Sequence, residues 1–266
     1  MSHIHIPDGV LPWWLVGIGW VAALALVWFA SRRARRSDVR RKVPLLGVVA
    51  ALVLVSMSSE IVPIAYHVNL TVVAGVLLGP WLGAIAAFIV VVMLALLGHG
   101  GVTVIGLNTL MIAAEMAIGW GLFRLLARAM GRRRVAWAAA TATVVTLAIT
   151  TTALVGLVAL GGGAATGRET GVLDPRSLVF ANPFTGAIVS VNTLRGAEPA
   201  PESSPAPLSV ARFAAVVFTL GPIGWLLEAL ITATVLGYVA RVRPGLVFGG
   251  ALAEPPRPPV GDEGAR

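Results

Sequence analysis

Six apolar stretches separated by short basic clusters constrain this chain more than anything else in it. They cover residues 13–30, 43–59, 68–97, 102–126, 135–160 and 211–240. A helix needs about 20 apolar residues to cross a lipid hydrocarbon core. Within that core only helices and closed barrels satisfy their own backbone polar groups. The third stretch is interrupted by Gly79-Pro80. Proline lacks the amide proton of a helical turn and fixes φ, so this stretch predicts two helices, the first of them short. The expected fold is therefore all-α, a polytopic membrane bundle of about seven transmembrane helices. Small residues recur along every stretch, which suits close helix packing in lipid.

Composition and charge agree. Hydrophobic residues make up 57% of the chain, mean hydropathy is +0.88 and only 12% of residues are charged, about half the charged share of a soluble protein. A net charge of +8 would be compatible with nucleic-acid binding, but the positions of the charges exclude it. Seven of the twenty basic residues lie in 31–42, five more in 124–134, and Arg241 and Arg243 follow the last apolar stretch. Basic clusters between apolar runs mark the cytoplasmic side. That rule places the N-terminus outside and the C-terminus inside a cytoplasmic membrane, and it puts all four histidines, His3, His5, His67 and His99, on the outer side. No basic region precedes the first apolar run, so no cleaved signal is expected and the amino end stays available. With no cysteine in the chain, disulfides and thiolate metal ligands are ruled out.

Residues 1–246 are expected to form the membrane-embedded metal-transport domain, and two segments fall outside its helix bundle. Residues 161–209 form a long extracytoplasmic loop rich in Gly, Pro, Ala and Ser, and loops of this length are functional or disordered. Its middle, from Leu178 to Phe184, is apolar enough to lie against the outer membrane surface. Residues 247–266 read as a disordered, Pro-rich cytoplasmic tail.

The amino end, Met1-Ser2-His3-Ile4-His5-Ile6-Pro7-Asp8-Gly9, carries the chemistry. A free amine, backbone amides and imidazole form the nitrogen set that holds square-planar Ni(II) or Cu(II), with Co(II) a neighbour in the affinity series. If Met1 stays, the amine, two amides and His3 can form fused chelate rings. If Met1 is removed, the amine of Ser2 with the amide and imidazole of His3 make a tighter set. Such a terminus is equally often a frayed polar end. Here His5 adds a second imidazole, and Pro7-Asp8-Gly9 is a turn signal that folds the end back. His67 follows the second span, where an interfacial histidine solvated at the headgroups is the plain alternative. His99 sits in Gly98-His99-Gly100-Gly101, as compatible with a polar loop residue as with a ligand. Asn108 is read as a hydrogen bond across helices. Glu115 and Glu228 fall at membrane depth, where carboxyls are expensive and are functional candidates, although a protonated, helix-bridging glutamate reads the same way.

In order along the chain, His5-Ile6-Pro7-Asp8-Gly9, His67, Leu77-Leu78-Gly79-Pro80-Trp81, the run from Gly98 to Asn108, the run from Glu228 to Ala233 and Arg241-Val242-Arg243-Pro244 resemble the CbiM/NikM family. These are the substrate-binding membrane subunits of energy-coupling-factor cobalt and nickel importers. The resemblance covers about residues 3–126 and 211–246. It implies a metal held by the amino group, the amide and imidazole of the second residue, and a later histidine. His67 matches that later histidine, and His5 matches the N-terminal one by the Ile-Pro-Asp-Gly that follows it. The chain departs from the pattern because Met1-Ser2-His3 precede Ile4. Two assignments follow. In the preferred one, His3 chelates with the amine of Ser2, His67 completes the set and His5 lies near. In the other, His5 keeps the family position without the amine. His99 is a further candidate ligand.

The resemblance implies a non-enzymatic substrate-capture subunit whose cargo is Co(II) or Ni(II), with no organic cofactor. The chain has no Gly-x-x-x-x-Gly-Lys-Ser/Thr phosphate loop. ATP hydrolysis is therefore assigned to partners, a transmembrane coupling subunit and cytoplasmic ATPase subunits. Two other readings use the same residues. An intramembrane metalloenzyme would need a carboxylate base, Glu60 or Asp8, but His-Glu-x-x-His is absent. A metal sensor would bind without transport.

Overall fold

A computed structural model of the chain describes residues 6, 11–35, 42–58, 60–61, 66–98, 101–160, 178–180, 189–191 and 210–248. In chain order the helices are α1 (Trp13–Arg35), α2 (Val43–Ser58), α3 (Thr71–Leu96), α4 (Ile105–Met130), α5 (Val135–Leu160), α6 (Val210–Val242) and α7 (Pro244–Phe248). Two strand pairs accompany them. β1 (Glu60–Ile61) pairs antiparallel with β2 (Tyr66–His67), and β3 (Leu178–Phe180) with β4 (Val189–Val191). Five helices are long and apolar enough to cross a membrane, and α2, at sixteen residues, is a shorter apolar helix. The protein is an all-α polytopic membrane bundle.

The seven expected spans are found in six long elements, with the short α7 besides, because α3 joins two helices that meet at Gly79, as the Gly79-Pro80 break predicts. Within α3, Gly79 takes φ 77° and ψ 175°. A glycine tolerates that left-handed φ without strain, and Pro80 suits the first position of the helix that follows. One residue thus makes the break, and no loop is needed. The chain turns at this point. Gly75 and Gly83, four residues to either side, both face Met116 of α4, and Gly79 faces Trp120, one turn further along. The seventh helix, α7, has only five residues. It carries Val247 into the core, so Val247 and Phe248, read from sequence as the start of the tail, belong to the bundle. The remaining tail and most of the 161–209 loop lie outside the described residues.

Close approach to α4 organises the bundle. A methyl group built on Gly75 would stand 2.2 Å from the Met116 carbonyl oxygen, and one on Gly106 would stand 2.5 Å from the Trp20 backbone nitrogen. α3 and α1 therefore touch α4 backbone to backbone. α5 packs on the other side, where Phe123 and Ala127 of α4 share an apolar cluster with Ala138, Ala139 and Ala142. α6 joins that cluster through Leu236. In lipid, where apolar side chains gain nothing by leaving the solvent, such close van der Waals contact drives helix association.

Gly75→Val should cost about 3 kcal/mol through overpacking against the Met116 backbone. Gly17, with nothing within 4 Å, provides the control. In detergent, Gly75→Val should aggregate at a clearly lower temperature than Gly17→Val; equal thermal transitions would contradict the close crossing.

Candidate metal centre

His67 lies in β2, directly opposite Glu60 of β1. Two residues later the chain is fixed inside the bundle. Asn69 is 1% exposed and Glu115 fully buried. The Asn69 Nδ2 and the Thr71 Oγ1 both donate to one carboxylate oxygen of Glu115. The Asn69 Oδ1 accepts the Thr71 backbone N–H at 3.1 Å, closing an Asx turn at the start of α3. Glu115 therefore ties the segment following His67 to the middle of α4.

The amino-terminal arm is tied to the same helix. Ile6 is 2% exposed. Its N–H donates to the Asn108 Oδ1 at 3.1 Å, and its carbonyl accepts from the Asn108 Nδ2 at 3.2 Å. The Gly101 N–H donates to the same carbonyl at 3.3 Å. The carboxamide of Asn108 thus takes the place of a neighbouring peptide unit and pairs with both polar groups of one residue. Around it, Ile6, Leu11, Leu15, Val104, Leu107 and Leu154 form an apolar cluster. The Trp20 Nε1 donates to the Thr103 carbonyl at 2.7 Å, which fastens α1 to the turn leading into α4.

Asn108 and Glu115 are seven residues apart, so they share one face of α4, separated by about 10 Å along the axis. One anchor holds the residue after His5. The other holds the residue two after His67, about 7 Å along an extended chain. Gly101, two residues after His99 in sequence, touches the arm. Ser2, His3, His5 and His99 themselves lie outside the described residues, as does Asp8. Among the described residues no three His, Asp or Glu side chains converge. Glu228 is fully buried on α6.

Two of these positions escaped the sequence reading. Asn69 and Thr71 show only an Asn-x-Thr ahead of an apolar run, a common helix-start pattern, and their carboxylate partner is more than forty residues away. Asn108 was read as bonding across helices, whereas its partner is the backbone of the amino-terminal arm.

Replacing Asn108 with Leu keeps the approximate volume and removes both hydrogen bonds to Ile6; the carbonyl keeps the Gly101 N–H, while the buried Ile6 N–H is left unpaired at about 1–3 kcal/mol. The chain has no cysteine, so one introduced at Ile6 reports burial of the arm. It should resist thiol labelling in the parent and react readily in Asn108→Leu. Equal protection in both would exclude Asn108 as the clasp.

The comparisons with known proteins give a consistent result. Residues 5–246 match the model of CbiM, described as the cobalt uptake substrate-specific transmembrane region. A Haloquadratum walsbyi protein named for metal transport is 32% identical over 250 residues, covering 92% of this chain and 94% of its own length. A cobalt transport protein CbiM of Sorangium cellulosum is 34% identical over 184 residues, 64% of this chain and 79% of its own. A crystal structure of a transition metal transporter superposes with a TM-score of 0.66 at 20% identity, covering 94% of this chain and 100% of that one. At that identity it speaks for the fold alone. The family consists of metal transport proteins, not enzymes, and by a match spanning nearly its whole length this chain belongs to the CbiM family of cobalt uptake membrane proteins.

Proposed function

We propose that the chain captures Co(II) or Ni(II) at the end of the bundle where the amino-terminal arm docks, as the substrate-binding subunit of an ATP-driven importer. The observation that carries this reading is the clasp on Ile6. A polar amino terminus left to itself stays solvated, whereas here the residue following His5 is buried and bonded at both its N–H and its carbonyl. The arm is thereby held against the same helix face that holds the segment after His67. In this reading the amine of Ser2, the amide and imidazole of His3 and the imidazole of His67 replace the ion's water shell, with His5 and His99 as further candidate ligands. A planar all-nitrogen set favours Ni(II) on geometry.

The anchors preorganise the site. Asn108 and Glu115 are fixed on one rigid helix, so the ion is gripped between two pre-positioned segments instead of gathering a loose chain around itself. Preorganisation of this kind lowers the ordering cost of binding. The basic clusters at 31–42, at 124–134 and at Arg241 and Arg243 face the cytoplasm, the amino terminus faces outward, and ATP hydrolysis comes from a coupling subunit with its ATPases.

Metal titration of the purified protein with its native amino end, by calorimetry with Co(II) and Ni(II), tests the reading. One residue inserted between Ser2 and His3 keeps every side chain and breaks the small chelate ring. Together with His3→Ala, it should remove most binding if the amine is a ligand. If His5 acts without the amine, His5→Ala is the severe change and the insertion is mild. His67→Ala should be damaging in both cases, and binding that survives it unchanged would remove the basis of the site.

The pH dependence has a definite sign. Ligating nitrogens must be unprotonated, so affinity should fall as pH drops from about 8 toward about 6. A flat affinity down to about pH 5.5 would speak against nitrogen ligands.

A further inference from the structure

We propose that the side of the bundle formed by α2 and the second arm of α3 thins the bilayer beside it and gathers phospholipids with short acyl chains. α2 has sixteen residues, a length of about 24 Å. The arm of α3 that follows Gly79, residues 80–96, is about 25 Å long. A hydrocarbon core is about 30 Å thick, and tilting an element only lowers the height it covers. The two lie against each other, since Val49, Ala50 and Val53 of α2 share one apolar cluster with Val90, Val91 and Leu94 of α3. Two short neighbours therefore make one low wall. α5, with twenty-six residues and a length of about 39 Å, spans the same core with room to tilt.

The outward face of α2 suits acyl chains. From Val43 to Val55 every exposed residue of the helix is apolar, and Val48, Leu52 and Val55 are each more than half exposed. No charged residue lies between Lys42 and Glu60, so these two bound what hydrocarbon can cover. At the Lys42 end a long, flexible side chain can carry its charge to the interface, which extends the span. The other end has no such allowance. There the chain leaves helical geometry and runs on as β1, paired with β2, and non-helical backbone is not tolerated facing hydrocarbon. The lipid boundary must therefore come to the end of α2. A short span is accommodated by thinning the bilayer, and here the thinning falls on the leaflet at the β1 end.

Selection at this wall is by chain length. A long-chain lipid beside it has to compress or splay its chains, a short-chain lipid does not, and the cost of mismatch grows with every ångström. The effect is local. Ile149 of α5 is 45% exposed, and α5 packs in a different apolar cluster, with α4 and α6. Ile149 therefore samples the lipid beside the tall side of the same molecule.

The test uses the full-length protein. The chain has no cysteine, so Leu52→Cys on α2 and Ile149→Cys on α5 each place one fluorescent label at an exposed position. Each labelled protein is reconstituted in brominated dioleoyl phosphatidylcholine, which quenches the label, diluted with unbrominated dimyristoleoyl or dierucoyl phosphatidylcholine. The lipid preferred beside the label relieves the quenching more. At Leu52 the short-chain lipid should be favoured over the long-chain one by about threefold. At Ile149 that preference should be absent or reversed. Lys42→Leu with Ser58→Leu lengthens the apolar part of α2 at both ends and should weaken the preference at Leu52. If this pair does not fold, the contrast between Leu52 and Ile149 decides alone. Equal affinity of the two lipids at Leu52, or the same preference at both positions, would overturn the proposal. So would loss of lipid quenching at Leu52 in the presence of an assembled partner subunit, which would assign the face of α2 to protein.

Discussion

A peptide group placed in a hydrocarbon environment has to find a hydrogen-bond partner within the protein, and this requirement governs the end of the bundle where the amino-terminal arm docks. Helices meet it internally. The arm at Ile6 is not helical, so its two polar groups must be satisfied from outside. Asn108 does this with one carboxamide, which is both donor and acceptor and so can stand in for a strand neighbour. Gly101 adds a second donor to the same carbonyl. Without Asn108 the arm is held less firmly among Leu11, Leu15 and Leu154, since its buried N–H is orphaned and its carbonyl keeps only the Gly101 donor.

The same helix meets a second need of this kind. The chain between α2 and α3 enters the bundle as β1 and β2, and its descent stops where Asn69 and Thr71 reach the buried carboxyl of Glu115. α4 can offer polar anchors at two depths because its neighbours come close enough to cover them. Gly75 lets α3 lie on the Met116 backbone of α4, and Gly106 lets α4 lie on the Gly19–Trp20 backbone of α1. Larger residues at these positions would open the crossings and admit lipid or water to the polar groups. Glycine in the bundle therefore acts at a distance, by keeping the anchors dry.

Much of this was legible in the residues. Each apolar stretch became a helix, because twenty apolar residues in lipid have few alternatives. Gly79-Pro80 announced a break, and the backbone breaks there. What the residues did not reveal was that the junction needs only one non-helical residue, Gly79, and that Gly75 and Gly83 on its two sides both meet Met116. Asn69 and Thr71 were silent for a similar reason. Their meaning lies in a partner far away in sequence, and no local pattern encodes it. The histidines were the loudest signal in the chain, and the structure speaks to them through their neighbours: Ile6 beside His5, Asn69 beyond His67, and Gly101 after His99.

The clasp on Ile6 joins residues 102 positions apart. During synthesis the arm therefore leaves the ribosome long before its partner exists. Until α4 is made and inserted, the amino end has nowhere to dock and remains open to whatever enzymes trim or modify new termini. Insertion of α4 closes that interval.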